Sequence, residues 1–208
     1  MTSAVGLGFR ALRGGAVIVG VTLEAGQPRV VLSAFLATAA EGDRLALEPY
    51  AVAAEMTRGA DGRALPEAAA TVAEGRRRQD QLAASGLAGI LGKLRDGGHE
   101  PEAAALLINR AGWITDLLEY SLFAPEHPAV AEGLAVREAL RFAFGQVGLA
   151  AVEDDEKSLP ERAAAVFGLS PASLDLRLKD LGAAAGRPWR KEQKLACLAA
   201  WFTLEAAR

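Results

Sequence analysis

Two runs rich in β-branched residues constrain this chain more than any other feature. Residues 16–24 read AVIVGVTLE, and after Ala25-Gly26-Gln27-Pro28 residues 29–38 read RVVLSAFLAT. Branching at Cβ favours the extended backbone, and a Gly- and Pro-bearing tetrapeptide between two such runs predicts a hairpin. A hairpin alone is barely stable, so it must add strands or be covered by helices. Glu41-Gly42-Asp43 supplies a further turn, and residues 44–47 alternate charged and apolar side chains as a short third strand would. The opening therefore reads as a three-stranded antiparallel meander with Tyr50 at its end.

Beyond it the sequence turns helical. Residues 54–63 are polar and Gly-bearing and read as a loop. Pro66 suits a helix's first turn, and Gly97-Gly98 stop that helix. Leu87, Ile90, Leu91 and Leu94 form its buried stripe, while Gly75, Gly86, Gly89 and Gly92 predict either close packing or a break. Residues 103–108 are a short apolar run suited to a fourth strand, buried and parallel to an earlier one. Pro128 opens a helix with Val130, Leu134, Ala135 and Phe142 inward, and residues 149–152 form a short fifth strand. Ser158 and Glu161 have capping-box spacing before a helix to Phe167. Ser170-Pro171 starts another helix, with Leu174, Leu178 and Leu181 on one face, and the last carries Leu195, Leu198, Ala199 and Phe202. The fold class is α/β: a mixed five-stranded sheet, three antiparallel strands then two parallel, flanked by helices. That order resembles the ribonuclease H-like fold. The length of 208 residues predicts one domain spanning 1–208.

Composition narrows the functional classes. A net charge of -3 supplies no general field for phosphate backbones, so nucleic acid is expected to be an unlikely partner. The single cysteine, Cys197, cannot form an internal disulfide, lies in an apolar helix and reads as a small buried hydrophobe. No apolar run approaches membrane-spanning length, and residues 16–21 are too short a run for a signal peptide, so the protein is expected in the cytoplasm.

No complete catalytic, metal or phosphate signature is present. Nuclease chemistry on a ribonuclease H-like sheet needs carboxylates converging on a divalent metal, one near the middle of strand one and others near strand four and the last helix. The first run, Val17-Ile18-Val19-Gly20-Val21-Thr22, and the end of the fourth, Ile108-Asn109-Arg110, supply no acid. Glu192 alone stands where a last-helix carboxylate could. Glu153-Asp154-Asp155-Glu156 reads as a solvated loop, since the spaced ligands and glycine of a calcium loop are missing. His99, His127 and Cys197 lack zinc spacing. Gly89-Ile90-Leu91-Gly92-Lys93 and Gly6-Leu7-Gly8 are fragments of nucleotide-binding loops in the wrong context. Arg76-Arg77-Arg78 reads as a solvated helix face, and Trp113 and Tyr120 as core or rim. No cofactor and no metal site is expected.

The remaining constellation is His127, Glu132 and Arg137 with the start of the last helix, Trp189-Arg190-Lys191-Glu192-Gln193-Lys194. A ring at a helix N-terminus beside cationic side chains permits anion binding. Gly8-Phe9-Arg10, His127 with Glu132-Gly133 and Arg137, and Trp189-Arg190-Lys191-Glu192-Gln193-Lys194 together resemble a family of uncharacterised bacterial proteins. The family's Ser-Gly-Trp-Ala is here Gly14-Gly15-Ala16-Val17. The resemblance implies a ribonuclease H-like outline without an assigned activity. The sequence therefore predicts a noncatalytic module, not an enzyme, binding a small anionic ligand or a protein partner through His127, Glu132, Arg137, Trp189, Arg190 and Lys194. The alternative is a metal-dependent nuclease or phosphoesterase of ribonuclease H-like type, with Glu132, Glu192 and Asp154 or Asp155 converging. A homodimer with a structural role is a third reading.

Overall fold

The computed structural model describes residues 2–109 and 113–207. Its centre is a five-stranded sheet in the order β3-β2-β1-β4-β5, built from β1 (Ser3–Leu12), β2 (Gly15–Glu24), β3 (Gln27–Ala37), β4 (His99–Ile108) and β5 (Ala151–Asp155). The first three strands are antiparallel, and β4 and β5 add parallel to β1, with Phe9 opposite Leu106 and Leu107 opposite Asp154. The mixed α/β sheet expected from the sequence is what the chain forms.

The meander, however, is shifted by one strand. Its first member is β1, and residues 44–47 are not a strand but a helical turn, α1 (Arg44–Leu47), whose start is capped by the Asp43 carboxylate accepting from the Ala46 N–H. A second short helix, α2 (Pro49–Ala54), follows. An acceptor side chain just ahead of a four-residue segment satisfies an orphan amide, and this outweighs the alternating pattern.

Two helical layers sandwich the sheet. On one side lie α3 (Pro66–Asp96) and α5 (His127–Val147), covering Val5, Leu7, Phe9, Ile18 and Leu106. Gly75 lets α3 pass close to Leu45 and Pro49, and the helix runs unbroken through its four glycines. The inward stripe of α5 is Ala131, Ala135, Val136, Ala139, Leu140, Ala143 and Phe144, which corrects the expected phase: Phe142 is exposed, and Phe144 meets Phe9 edge-on at 4.8 Å. The short α4 (Leu117–Ser121), absent from the sequence reading, joins β4 to α5 and is capped by Asp116.

The other side carries α6 (Leu159–Phe167), α7 (Pro171–Ala185) and α8 (Lys191–Ala206), covering Val17, Val19, Val21, Ala105 and Leu107. Ser170 caps α7 by accepting from the Ser173 N–H, as its sequence predicts. Ser158 makes no such bond; its N–H instead donates to Asp155. Gly168 closes α6 in the left-handed conformation that glycine adopts without a Cβ clash.

The contact that fixes the whole arrangement is α8 on β1. Along β1, Val5, Leu7 and Phe9 point into the α3/α5 layer, so Gly6 and Gly8 face α8, and a Cβ on either would collide with the carbonyl oxygens of Ala200 and Ala196. The helix backbone thus rests directly on the central strand. Cys197, at this seat, is fully buried, and burial pushes its thiol up to about 12, leaving an inert thiol.

On the opposite layer, Glu132 of α5 reaches the start of α2, where Oε1 accepts from the N–H groups of Tyr50 at 2.7 Å and Ala51 at 3.0 Å. Burial outweighs these two donors and pushes the carboxyl up to about 7.

Two expectations follow from this packing. Gly8→Ala costs about 3 kcal/mol or more by overpacking, whereas Gly89→Ala, with nothing within 4 Å of its Cβ, stabilises by up to about 1 kcal/mol through helix propensity; urea denaturation of both variants measures this. For Glu132, a folded-state pKa above the unfolded value means that the native state holds the extra proton. Its contribution is complete below pH 4.5 and is lost as pH rises to about 7, a decline on the order of 3 kcal/mol. Glu132→Gln retains the accepting oxygen and removes that slope, as read from denaturation midpoints between pH 4 and pH 8.

Candidate functional site

In open α/β sheets, ligand-binding clefts form outside the carboxyl ends of parallel strands, because chain direction changes there and loops splay apart. The carboxyl ends of β1, β4 and β5 deliver Arg10, Asn109 and Glu156 to one such place. Arg10 is the next residue after Gly6 and Gly8 on the α8 side of β1, and lies one helical turn before the Ala196 seat, level with Glu192. Glu156 is held by its N–H donating to the Ile108 carbonyl at 2.8 Å, which extends the β4–β5 pairing.

The charges are arranged around Arg10. Its Nε and Nη2 both donate to the Glu156 carboxylate at 2.9 Å, a bidentate pair, and its Nη1 lies 3.6 Å from Glu192 Oε1. Arg10 and Glu156 are largely shielded from solvent, whereas Glu192 is more open, with 30% of its side chain exposed. Arg137 approaches from α5: it is buried, donates through Nη2 to Asn109 Oδ1, and leaves Nε without a partner among the described residues. Desolvation holds its pKa below the usual guanidinium value; repulsion by Arg141 and Arg10 acts the same way, while the carboxylates of Glu156 and Glu153 oppose it.

A cleft of about 500 Å³ opens beside Glu192. Its walls are Val17, Phe35, Pro188 and Arg190, so a side of the site is apolar with an exposed ring.

The six residues expected to bind ligand are divided between the layers. His127, Glu132 and Arg137 all lie on α5. His127 stacks on Tyr120 at 4.1 Å, with Nδ1 3.0 Å from the Tyr120 carbonyl, and Glu132 holds α2, so only Arg137 reaches the charged cluster. Trp189, Arg190 and Lys194 lie across the sheet. The Trp189 ring covers Gly182 and donates from Nε1 to the Leu178 carbonyl at 2.9 Å, Lys194 pairs with Asp175 at 2.9 Å, and Arg190, just before α8, donates its N–H to Gln193 Oε1 at 2.9 Å and lines the cleft.

Nor do the carboxylates of the alternative reading converge. Asp154 is buried in a pair with Arg162, Asp155 serves Ser158, and Glu132 is on the far layer. The acidic run is not a solvated loop: its first three residues are strand β5. The sequence reading passed over Glu156 within that run, and Arg10. The signal for Arg10 was a strand alternating glycine on one face and large apolar residues on the other, ending in a charge. Among the described residues no group of three His, Cys, Asp or Glu side chains could hold a metal ion. A divalent cation does not fit here, because the guanidinium already saturates Glu156 and lies between it and Glu192.

No protein-family profile and no curated protein sequence matches the chain. Solved structures do. The Thermus thermophilus RuvC structure matches 99% of this chain and 95% of its own, with a TM-score of 0.51 at 13% identity. T. thermophilus RuvC in complex with a Holliday junction substrate matches 100% and 96%, with a TM-score of 0.55 at 10% identity. The fold is therefore ribonuclease H-like. These matches correct three expectations drawn from sequence: a noncatalytic module for a small anion or protein partner, the absence of enzymatic activity, and nucleic acid as an unlikely partner. The chain shares its outline end to end with RuvC, in one structure in complex with a Holliday junction substrate.

Proposed function

We propose that the protein is a phosphodiesterase of ribonuclease H-like type that acts on branched DNA. The reading is supported chiefly by the cluster of Arg10, Glu156 and Glu192 at the carboxyl ends of the parallel strands, in a fold shared over its full length with RuvC. A net charge of -3 disfavours general attraction to DNA, so binding rests on local cations, Arg10 and Arg137 in the cluster and Arg190 at the cleft. Planar guanidinium groups match phosphate oxygens and hold the ester in place.

Glu192 is the more open carboxylate and serves as general base. It takes a proton from water as the water oxygen bonds to phosphorus; the bond from phosphorus to the departing sugar oxygen breaks, and that oxygen is protonated from solvent. Glu156 holds Arg10 in position. Trp189 fixes α8, the element that presents Glu192, against α7.

Among the described residues no helix is long and apolar enough to cross a membrane. Our reading places residues 1–208 in the cytoplasm as one working domain, and extends the activity to the uncharacterised bacterial family that the chain resembles.

The test is incubation with a labelled four-way junction and a matched linear duplex. The expected result is cleavage of the junction in preference to the duplex, reduced by about 10² or more in Glu192→Gln while junction binding by gel shift persists. Absence of both cleavage and preferential junction binding would overturn the proposal.

A further inference from the structure

A guanidinium occupies the centre of the cluster where two carboxylates from different elements meet. Arg10 binds both oxygens of Glu156 at 2.9 Å and approaches Glu192 at 3.6 Å, so one side chain joins β1, the end of β5 and the start of α8. That is the bridging geometry a divalent cation provides between carboxylates, here supplied by the chain. A second cation, Arg137, is buried and donates to Asn109, just beyond the end of β4, the strand paired with β1. Among the described residues it has no ion pair, and its Nε has no partner. A buried guanidinium with an unused donor beside a carboxylate-neutralised arginine is suited to an anionic oxygen.

We infer that Arg10 replaces the divalent cation of this site, and that Arg10 and Arg137 together form a metal-independent clamp for a phosphodiester. Glu156 and Glu192 thus recruit neither Mg²⁺ nor Mn²⁺. The cation-replacement half stands on the ion pairs alone, whereas the choice of a phosphodiester as ligand rests on the function proposed above.

Two measurements separate these parts. In the first, the wild-type chain and Arg10→Asp are titrated with Mn²⁺ and bound ion is read by electron paramagnetic resonance, with no DNA present. Wild type is expected to hold no Mn²⁺ at this site. Arg10→Asp, which adds a carboxylate to Glu156 and Glu192, gains affinity of at least about tenfold. Should wild type bind Mn²⁺ and lose it in Glu156→Gln, the inference is overturned, and this wild-type comparison holds even where Arg10→Asp does not fold.

The second is four-way junction binding in EDTA, by wild type and by Arg137→Lys, with folding checked by circular dichroism. Wild-type affinity is expected to be unchanged by EDTA and to fall about tenfold in Arg137→Lys, because an ammonium cannot reproduce the guanidinium fork. Loss of wild-type binding in EDTA would overturn the clamp. Failure to bind the junction under any condition, with Mn²⁺ also unbound, would instead sink the proposed function and leave the replacement of the cation by Arg10 standing.

Discussion

The seating of α8 on the glycine face of β1 governs everything built around it. Because Gly6 and Gly8 carry no side chain, the carbonyls of Ala196 and Ala200 rest against the central strand. A helix that close has little freedom to slide or rotate, since both backbones are stiff and neither surface can yield. The position of Glu192 is therefore set by a contact one turn further along its own helix. The same strand aims Arg10 at it, because Arg10 continues the face that the two glycines begin.

Burial polarity divides the rest of the molecule. Above the sheet, α3 and α5 pack aliphatic and aromatic side chains onto Val5, Leu7 and Phe9, with the Glu132 carboxyl as the polar tie to α2. Below it, α6, α7 and α8 form an Ala- and Leu-rich layer in which Trp189 and Trp201 are the large pieces, the latter stacked on Phe167 at 3.9 Å. Arg137 and Glu192 come from opposite layers, and each reaches the strand ends, Arg137 at Asn109 after β4 and Glu192 at Arg10 of β1.

Much of the sheet was legible from residues. The runs at 16–24 and 29–38 are strands because β-branching there is dense, and the parallel fourth strand shows in the apolar run after a helix stop. The first strand was hidden for the same reason that it matters: alternate glycines lower its apparent β-propensity, although Val5, Leu7 and Phe9 keep a period of two. Residues 44–47 misled because four residues carry too little periodicity to outweigh a capping aspartate. At the site, the helix bearing Glu192 was legible, whereas its partner Arg10 comes from the first strand and pairs in turn with Glu156, 146 residues further along the chain. No local pattern joins Arg10 to Glu156. His127, Glu132 and Lys194, singled out with the start of the last helix, each also bond to a neighbouring element.

The bidentate pair between Arg10 and Glu156 has one more consequence. An ion acquired from solution can be chelated, exchanged for a competing metal, or left vacant when supply is short. A guanidinium is synthesised with the polypeptide in fixed stoichiometry. The electrostatic character of this cluster is therefore inherited through translation, independent of the mineral content of its surroundings.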